Sequence, residues 1–292
     1  MGKLKNSLYR ILTAAVALPV YFFAIGTDLF YSVPILIASL VITLLSLYEF
    51  YRISDRGDEG RPFTAIGIIC GAAVNIVMYV YAFGFFGHRL SGGFETKLIM
   101  VVFVLLLALV MTIQLFFRPI KGAIYSIAVT GFGIFYIVFF FSHIFLLRIL
   151  EHGFLYILLI NIVIIINDSA AYFAGISIGK HKTNFAVSPN KSWEGYLFGM
   201  IFSIIAMLAT NAIYASYLDK YLFSFAESVI IGILLSIFGN FGDLIESLVK
   251  RDGSKKDSGS LLPGHGGMWD VFDAMIFTIP LFYYYLLIKG VS

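Results

Sequence analysis

Residues 247–273 read SLVKRDGSKKDSGSLLPGHGGMWDVFD and lie between two strongly apolar stretches, one ending near residue 249 and the next running to residue 288. A segment this polar is not a place for hydrocarbon, so the apolar runs on either side read as separate membrane crossings joined by a charged loop. The composition around it agrees. Of 292 residues 60% are hydrophobic and only 13% charged, against roughly 25% charged in soluble domains, and the mean hydropathy is +0.93. This is the profile of an integral membrane protein. The single cysteine, Cys70, has no partner in the chain, which excludes a disulfide framework and a metal-thiolate cluster.

A spanning helix needs about 20 mostly apolar residues. By that rule nine segments are expected, near 8–27, 30–51, 62–86, 96–117, 122–147, 153–179, 192–217, 222–249 and 266–288. The first follows Lys3, Lys5 and Arg10 in the manner of a signal peptide, but eight further spans favour an uncleaved helix. Cytoplasmic connections carry the excess of Lys and Arg. Lys3, Lys5, Arg10, Arg52, Arg56, Arg61, Arg118, Lys121, Lys180, Lys182, Lys191, Lys250, Arg251, Lys255 and Lys256 fall on one side, and only Arg89, Lys97, Arg148, Lys220 and Lys289 on the other. That split predicts a cytoplasmic N-terminus, an external C-terminus and a cytoplasmic 247–273 loop. The fold expected is all-α and polytopic, with about nine transmembrane helices and a polar funnel on the cytoplasmic side of a bacterial inner or plasma-type membrane.

Carboxylates divide the chain. Spans one to five hold none in their interiors, and Glu49, three residues before Arg52, reads as half of an interfacial pair at a helix end. Spans six to nine carry Asp168, Glu194, Asp243, Glu246, Asp270 and Asp273. Ionisable groups in membrane helices are costly enough to point to function. Residues 1–121 are therefore read as an N-terminal transmembrane scaffold and 122–292 as a C-terminal transmembrane catalytic region.

Depth and spacing sharpen this. Asp243 lies about 10 Å along the helix from Lys250, and Asp168 about 18 Å from Lys180, too far for short side chains to reach bulk water. The stretch after residue 273 has too few charge-free residues to span alone, so Asp270 and Asp273 enter from the cytoplasmic side. Asn240, Asp243, Glu246, Ser247 and Lys250 share one helix face, as do Asp270 and Asp273. Two helices presenting carboxylates at similar depth make an oxygen site for a hard divalent cation such as Mg²⁺. The competing reading is a set of Asp to Lys or Arg pairs. It is disfavoured because the basic residues sit in loops rather than at the depth of Asp168 or Asp243.

The sixth connection, from Asn167 to Gly195, adds Lys180, Lys182 and Lys191 as cations and Ser188, Asn190 and Ser192 as donors suited to phosphate oxygens. It holds no G-x-x-x-x-G-K-[ST], so a Walker-type NTPase is disfavoured. The Gly67/Gly71 and Gly195/Gly199 pairs read as helix-packing faces.

The 247–273 stretch closely resembles the signature of the phosphatidate cytidylyltransferases, or CDP-diacylglycerol synthases. Ser247, Lys250, Arg251, Lys256, Asp257, Pro263, His265, Gly266, Gly267, Asp270 and Asp273 stand where that signature has them. The likeness continues through Gly242, Asp243, Glu246, Asp168, Ala171, Tyr172, Gly175, Gly179 and the SPNKSWEG run, covering roughly residues 160–275. Val271 stands where many members have arginine, which removes one cation expected at the phosphates. The resemblance implies conversion of CTP and phosphatidic acid to CDP-diacylglycerol and pyrophosphate, with Mg²⁺ required, potassium as a second cation, a homodimer, membrane lipid as surroundings and no nucleic-acid partner. By its logic Asp243 and Asp270 hold Mg²⁺, and Asp168, Glu246 and Asp273 complete the metal shell. Lys191, Lys250, Arg251 and Lys256 neutralise phosphates, with Ser188, Asn190, Ser247 and Asp257 beside the substrate. His265 reads either as an acid for the pyrophosphate or as part of a tight glycine turn. An ion-coupled transporter would also bury carboxylates, but it needs access from both faces. A CDP-alcohol phosphotransferase would need a D-x-x-D-G motif that is absent.

Overall fold

The computed structural model describes residues 2–84 and 94–291. Among them no strand forms, only isolated bridges in loops: Lys182 with Ser192, Phe185 with Ser188 and Leu262 with Gly266. The helices are α1 (Gly2–Gly26), α2 (Leu29–Ile53), α3 (Thr64–Phe83), α4 (Phe94–Phe117), α5 (Ala123–Gly133), α6 (Phe140–Arg148), α7 (Gly153–Ser177), α8 (Trp193–Leu218), α9 (Phe225–Asp252) and α10 (Met268–Ile288). A π-helical segment, Ile134–Phe139, joins α5 to α6 within one span. Each of the nine expected segments coincides with helix. Eight described helices are long and apolar enough to cross a bilayer, and α1 adds the shorter apolar run Ala15–Gly26. The chain is an integral membrane protein. The boundaries differ from expectation chiefly at α9, which runs on to Asp252 and so takes Lys250 and Arg251 into its last turn, where cations meet the negative helix end. Arg89 and the expected end of the third span lie outside the described residues.

The chain forms two compact units, Met1–Ile149 with Val249–Phe272, and Leu150–Leu248 with Asp273–Ser292. In the first, α3 lies close on α2 because a Cβ at Gly67 would overlap the Tyr51 ring, and one at Gly71 would come to 3.0 Å from Leu47. The expected packing face is therefore present. Ser39 Oγ donates to Asn75 Oδ1 (2.6 Å) and Asn75 Nδ2 to Thr43 Oγ1 (2.8 Å), all three side chains buried. Such bonds contribute about 0.6 kcal/mol each between membrane helices. The 249–272 segment is seated by aromatics. Trp269 is fully buried with its ring 5.5 Å from that of Phe50, and Phe272 lies 5.6 Å from Tyr21 and 5.8 Å from Phe141, all edge-on.

In the second unit glycines set the helix spacing. A Cβ at Gly195 would lie 2.9 Å from the Ala171 carbonyl of α7, and one at Gly199 2.9 Å from Asn167 Oδ1. Gly232 meets the α8 backbone at Ile204, and Gly242 meets α10, where a Cβ would stand 2.6 Å from the Asp273 carbonyl. Asn211 closes the turn between α8 and α9, its Nδ2 donating to the Phe223 carbonyl (2.7 Å) while its Oδ1 accepts from Leu222 N (3.1 Å). Without such a partner those turn groups would be orphaned in a buried setting.

Candidate active site

Gly242 precedes Asp243 in sequence, and by letting α10 approach α9 it brings their carboxylates together. Oxygens of Asp243, Glu246 and Asp273 lie within 4.8 Å of one another, with Glu246 buried and the other two partly exposed. Three like charges so close repel unless a cation or proton intervenes. Oxygen-only ligands, more than one carboxylate and a side left open match what a hard divalent cation requires. Asp168 stands within electrostatic range of Asp243 and Lys191. It accepts a hydrogen bond from Asn167 Nδ2 (3.0 Å), whose own Oδ1 accepts from Ser236 (2.7 Å) and Ser203 (3.2 Å). That bond fixes the rotamer of Asp168 from inside the helix bundle.

The sixth connection folds back on itself. Thr183 N donates to the Lys191 carbonyl (2.9 Å), Lys182 Nζ to the Asn190 carbonyl (3.2 Å), and Ser188 N to the Phe185 carbonyl (3.0 Å). Ser192 caps α8 by accepting from Gly195 N (3.1 Å), and Glu194 in the first turn accepts from the backbone N–H of His181 (3.1 Å) and lies 2.5 Å from its Nδ1. Glu194 is thus a loop clasp. The result is that Lys191 projects inward and donates to Asp243 Oδ2. This corrects the expectation that no basic group reaches Asp243: the lysine is in a loop, but the loop delivers it. Burial works against the Lys191 charge, yet the contact with Asp243 outweighs it and holds its pKa above the ordinary lysine range.

Most of the signature, residues 249–272, lies in the other unit. Its first part is bound to the loop after α2: Arg56 Nη2 is 2.5 Å from Asp252 Oδ2, and Gly253 packs against the Ile53 backbone, leaving no room for a side chain. Lys250 Nζ donates to Asp270 Oδ1 (2.7 Å), each only 10% exposed. Asp270 Oδ2 accepts from Ser258 N (2.9 Å) and Gly267 N (2.7 Å) and lies 2.8 Å from Ser258 Oγ. Gly266, at φ +99°, allows this: a Cβ there would be strained and would stand 2.5 Å from Asp270 Oδ2.

Glu49 was missed by sequence reasoning. It is buried, and no ion pair with Arg52 occurs among the described residues. Instead it accepts from Ser258 Oγ (2.9 Å), Met268 N (3.0 Å) and Trp269 N (2.9 Å). The spacing to Arg52 suggested a local pair; the true partners are more than two hundred residues away.

Residues 8–289 match the family model described as the Cytidylyltransferase family. The chain belongs to that family. Among relatives, a phosphatidate cytidylyltransferase of Staphylococcus saprophyticus is 33% identical over 277 residues, covering 93% of this chain and 96% of the relative. One of Staphylococcus haemolyticus is 31% identical over 273 residues, again 93% and 96%. One of Bacillus subtilis is 40% identical over 136 residues, 47% of this chain and 49% of the relative. The family match therefore extends well beyond residues 160–275 and takes in the α2 region that carries Glu49. It gives the transporter alternative no support.

In this cytidylyltransferase the remaining expected site residues are arranged less tightly. Arg251 is exposed and donates to the Lys255 carbonyl (2.9 Å). Lys256 and Asp257 are exposed on the same loop, whereas Ser247 is buried on the carboxylate face of α9. Ser188 and Asn190 are held in the folded sixth connection, with Asn190 exposed. The backbone N–H of His265 donates to the Leu262 carbonyl (2.9 Å), closing the glycine turn, while its side chain is exposed.

Proposed function

We propose that this cytidylyltransferase moves the cytidylyl group of CTP onto phosphatidic acid in the membrane, giving CDP-diacylglycerol for phospholipid synthesis and releasing pyrophosphate. The observation that carries the reading is the convergence of Asp243, Glu246 and Asp273 within 4.8 Å, with Lys191 donating to Asp243, in a chain matched to the family almost end to end. Mg²⁺ suits these oxygens, and when bound it supplies positive charge that lessens repulsion between two polyanionic substrates. Asp243, Glu246 and Asp273 would hold it, with Asp168 fixed nearby; Asp270, which the resemblance also assigns to the metal, is engaged by Lys250 in this structure. The resemblance adds a potassium ion and a homodimer to this reading.

The attacking phosphate monoester is already an anion at neutral pH, so it needs placement and charge cancellation rather than a general base. One of its oxygens donates a lone pair to the α-phosphorus of CTP, forming the new P–O bond. The bond from that phosphorus to the bridging oxygen breaks, and its electrons leave with pyrophosphate. Lys191 can transfer its contact from Asp243 to a phosphate oxygen; the resemblance assigns Lys250, Arg251 and Lys256 to phosphates as well, of which Lys250 is buried against Asp270 and Arg251 and Lys256 are exposed. No serine or histidine of the signature has the base and orienting partner that a covalent nucleophile requires.

The test is isotope exchange in protein stripped of endogenous lipid. Labelled pyrophosphate should not enter CTP until phosphatidic acid is added. Exchange without the lipid would overturn direct displacement, and absence of CTP-dependent transfer to phosphatidic acid would overturn the function. Orientation, with the site and N-terminus cytoplasmic, rests on the Lys and Arg distribution. Reporter fusions at residues 2 and 292 should report opposite compartments.

A further inference from the structure

Glu49 belongs to α2, in the half of the chain where sequence reasoning found no chemistry, yet the residue is only 6% exposed. An ion buried so deeply must be compensated. The compensation comes from the signature: the N–H groups of Met268 and Trp269 and the Ser258 hydroxyl. These N–H groups belong to the first turn of α10 and have no acceptor within their own helix, and the positive end of the helix favours a carboxylate. The slot is shaped for it. A Cβ at Gly259 would come to 2.5 Å from Glu49 Oε1, and one at Gly267 would overlap both carboxylate oxygens.

This is more than a helix cap borrowed from a neighbour, because Glu49 shares its donors with Asp270. The Ser258 hydroxyl lies 2.9 Å from Glu49 Oε2 and 2.8 Å from Asp270 Oδ2, and its one proton can serve only one of them at a time. The backbone at the start of α10 is divided in the same way: Gly267 N donates to Asp270, Met268 N and Trp269 N to Glu49. Glu49, Ser258, Asp270 and Lys250 thus form one continuous run of hydrogen bonds within a single unit.

We propose that Glu49 is a positioning residue for cytidylyl transfer: it fixes the start of α10 and, through Ser258, the orientation in which Asp270 holds Lys250. This rests on the reading of the signature as part of the transfer site. Glu49→Gln keeps the shape but turns an amide NH₂ toward N–H donors, so the slot is mismatched without a cavity.

The experiment uses the full-length protein in detergent. With monodisperse, folded protein, Glu49→Gln should lower kcat about tenfold or more, the order expected of a small misplacement. KM for CTP and for phosphatidic acid should stay within about threefold. A purely structural role would lower yield and thermal midpoint but not kcat per folded molecule, and that result overturns the proposal. Adding Ser258→Ala to Glu49→Gln should cost no more than about threefold beyond Glu49→Gln alone, since both act on one path; independent, multiplying losses overturn it. In a Trp193→Phe background Trp269 is the sole tryptophan. Glu49→Gln should red-shift its emission without substrates present, and an unmoved spectrum counts against the proposal. Wild-type protein that transfers nothing from CTP sinks the functional reading and this one with it; active wild type with an equally active Glu49→Gln variant sinks this one alone.

Discussion

Each of the two units holds a lysine–aspartate pair, and the two pairs are built differently. Lys191 and Asp243 are 27% and 36% exposed, and Asp243 belongs to a group of three carboxylates with Glu246 and Asp273. Lys250 and Asp270 are 10% exposed each, and the oxygens of Asp270 face Lys250, two backbone N–H groups and a hydroxyl. The first pair is the more accessible, and under the proposed function it is the one suited to exchange partners. The second is a balanced, buried one suited to hold a loop in place. Similar residue types therefore do different work according to burial and to the count of donors around each acid.

The comparison is broken most sharply at Asp243. Asp243→Asn should reduce turnover at least about a hundredfold with a smaller loss of thermal stability than Asp270→Asn, because its lysine pair is the more exposed. Retention of more than about a tenth of wild-type rate, a loss under ~1.4 kcal/mol in the barrier, would make this acid structural. Asp270→Asn should also abolish most turnover, but it removes a carboxylate charge from a buried pair and should cost about 3 kcal/mol of stability as well. Equal thermal midpoints for the two variants would erase the distinction. Chelation of divalent cations should stop transfer by the wild-type protein, with Mg²⁺ restoring it, and Asp273→Asn should raise the Mg²⁺ concentration for half-activation about tenfold. Lys191→Met should lower turnover roughly tenfold to a hundredfold, removing one charge at the phosphates. Lys182→Ala sits at the far end of the scale: its ammonium only braces the Asn190 carbonyl on an exposed loop, and a loss beyond about threefold would show that the loop, not Lys191 alone, carries the function.

Much of the fold was legible because runs of apolar residues long enough to span a bilayer leave little alternative to helices. The face that unites Asp243 and Glu246 was legible too, since helical periodicity fixes it. Periodicity says nothing about how far a folded loop reaches, which is why the contact of Lys191 with Asp243 had to come from the structure. Glu49 marks the same boundary from the other direction. A glutamate three residues before an arginine at a helix end has a sufficient local explanation, and no local signal points to Ser258, Met268 and Trp269. The glycines of the signature did carry a trace of it: Gly259 and Gly267 border the Glu49 carboxylate as well as shaping a turn.

The π-helical segment Ile134–Phe139 bears on how this chain is counted against others. Each residue turns an α-helix by about 100°, so a wider turn absorbs one additional residue while the helix on either side keeps its own face toward its neighbours. The span from Ala123 to Arg148 is thus one residue longer than a regular helix joining the same two faces. A family member shorter by one residue at this point would present its flanking side chains as this one does. A gap placed there, inside a membrane helix where gaps are ordinarily refused, would be the correct correspondence, and forcing it into a loop would misassign every residue between.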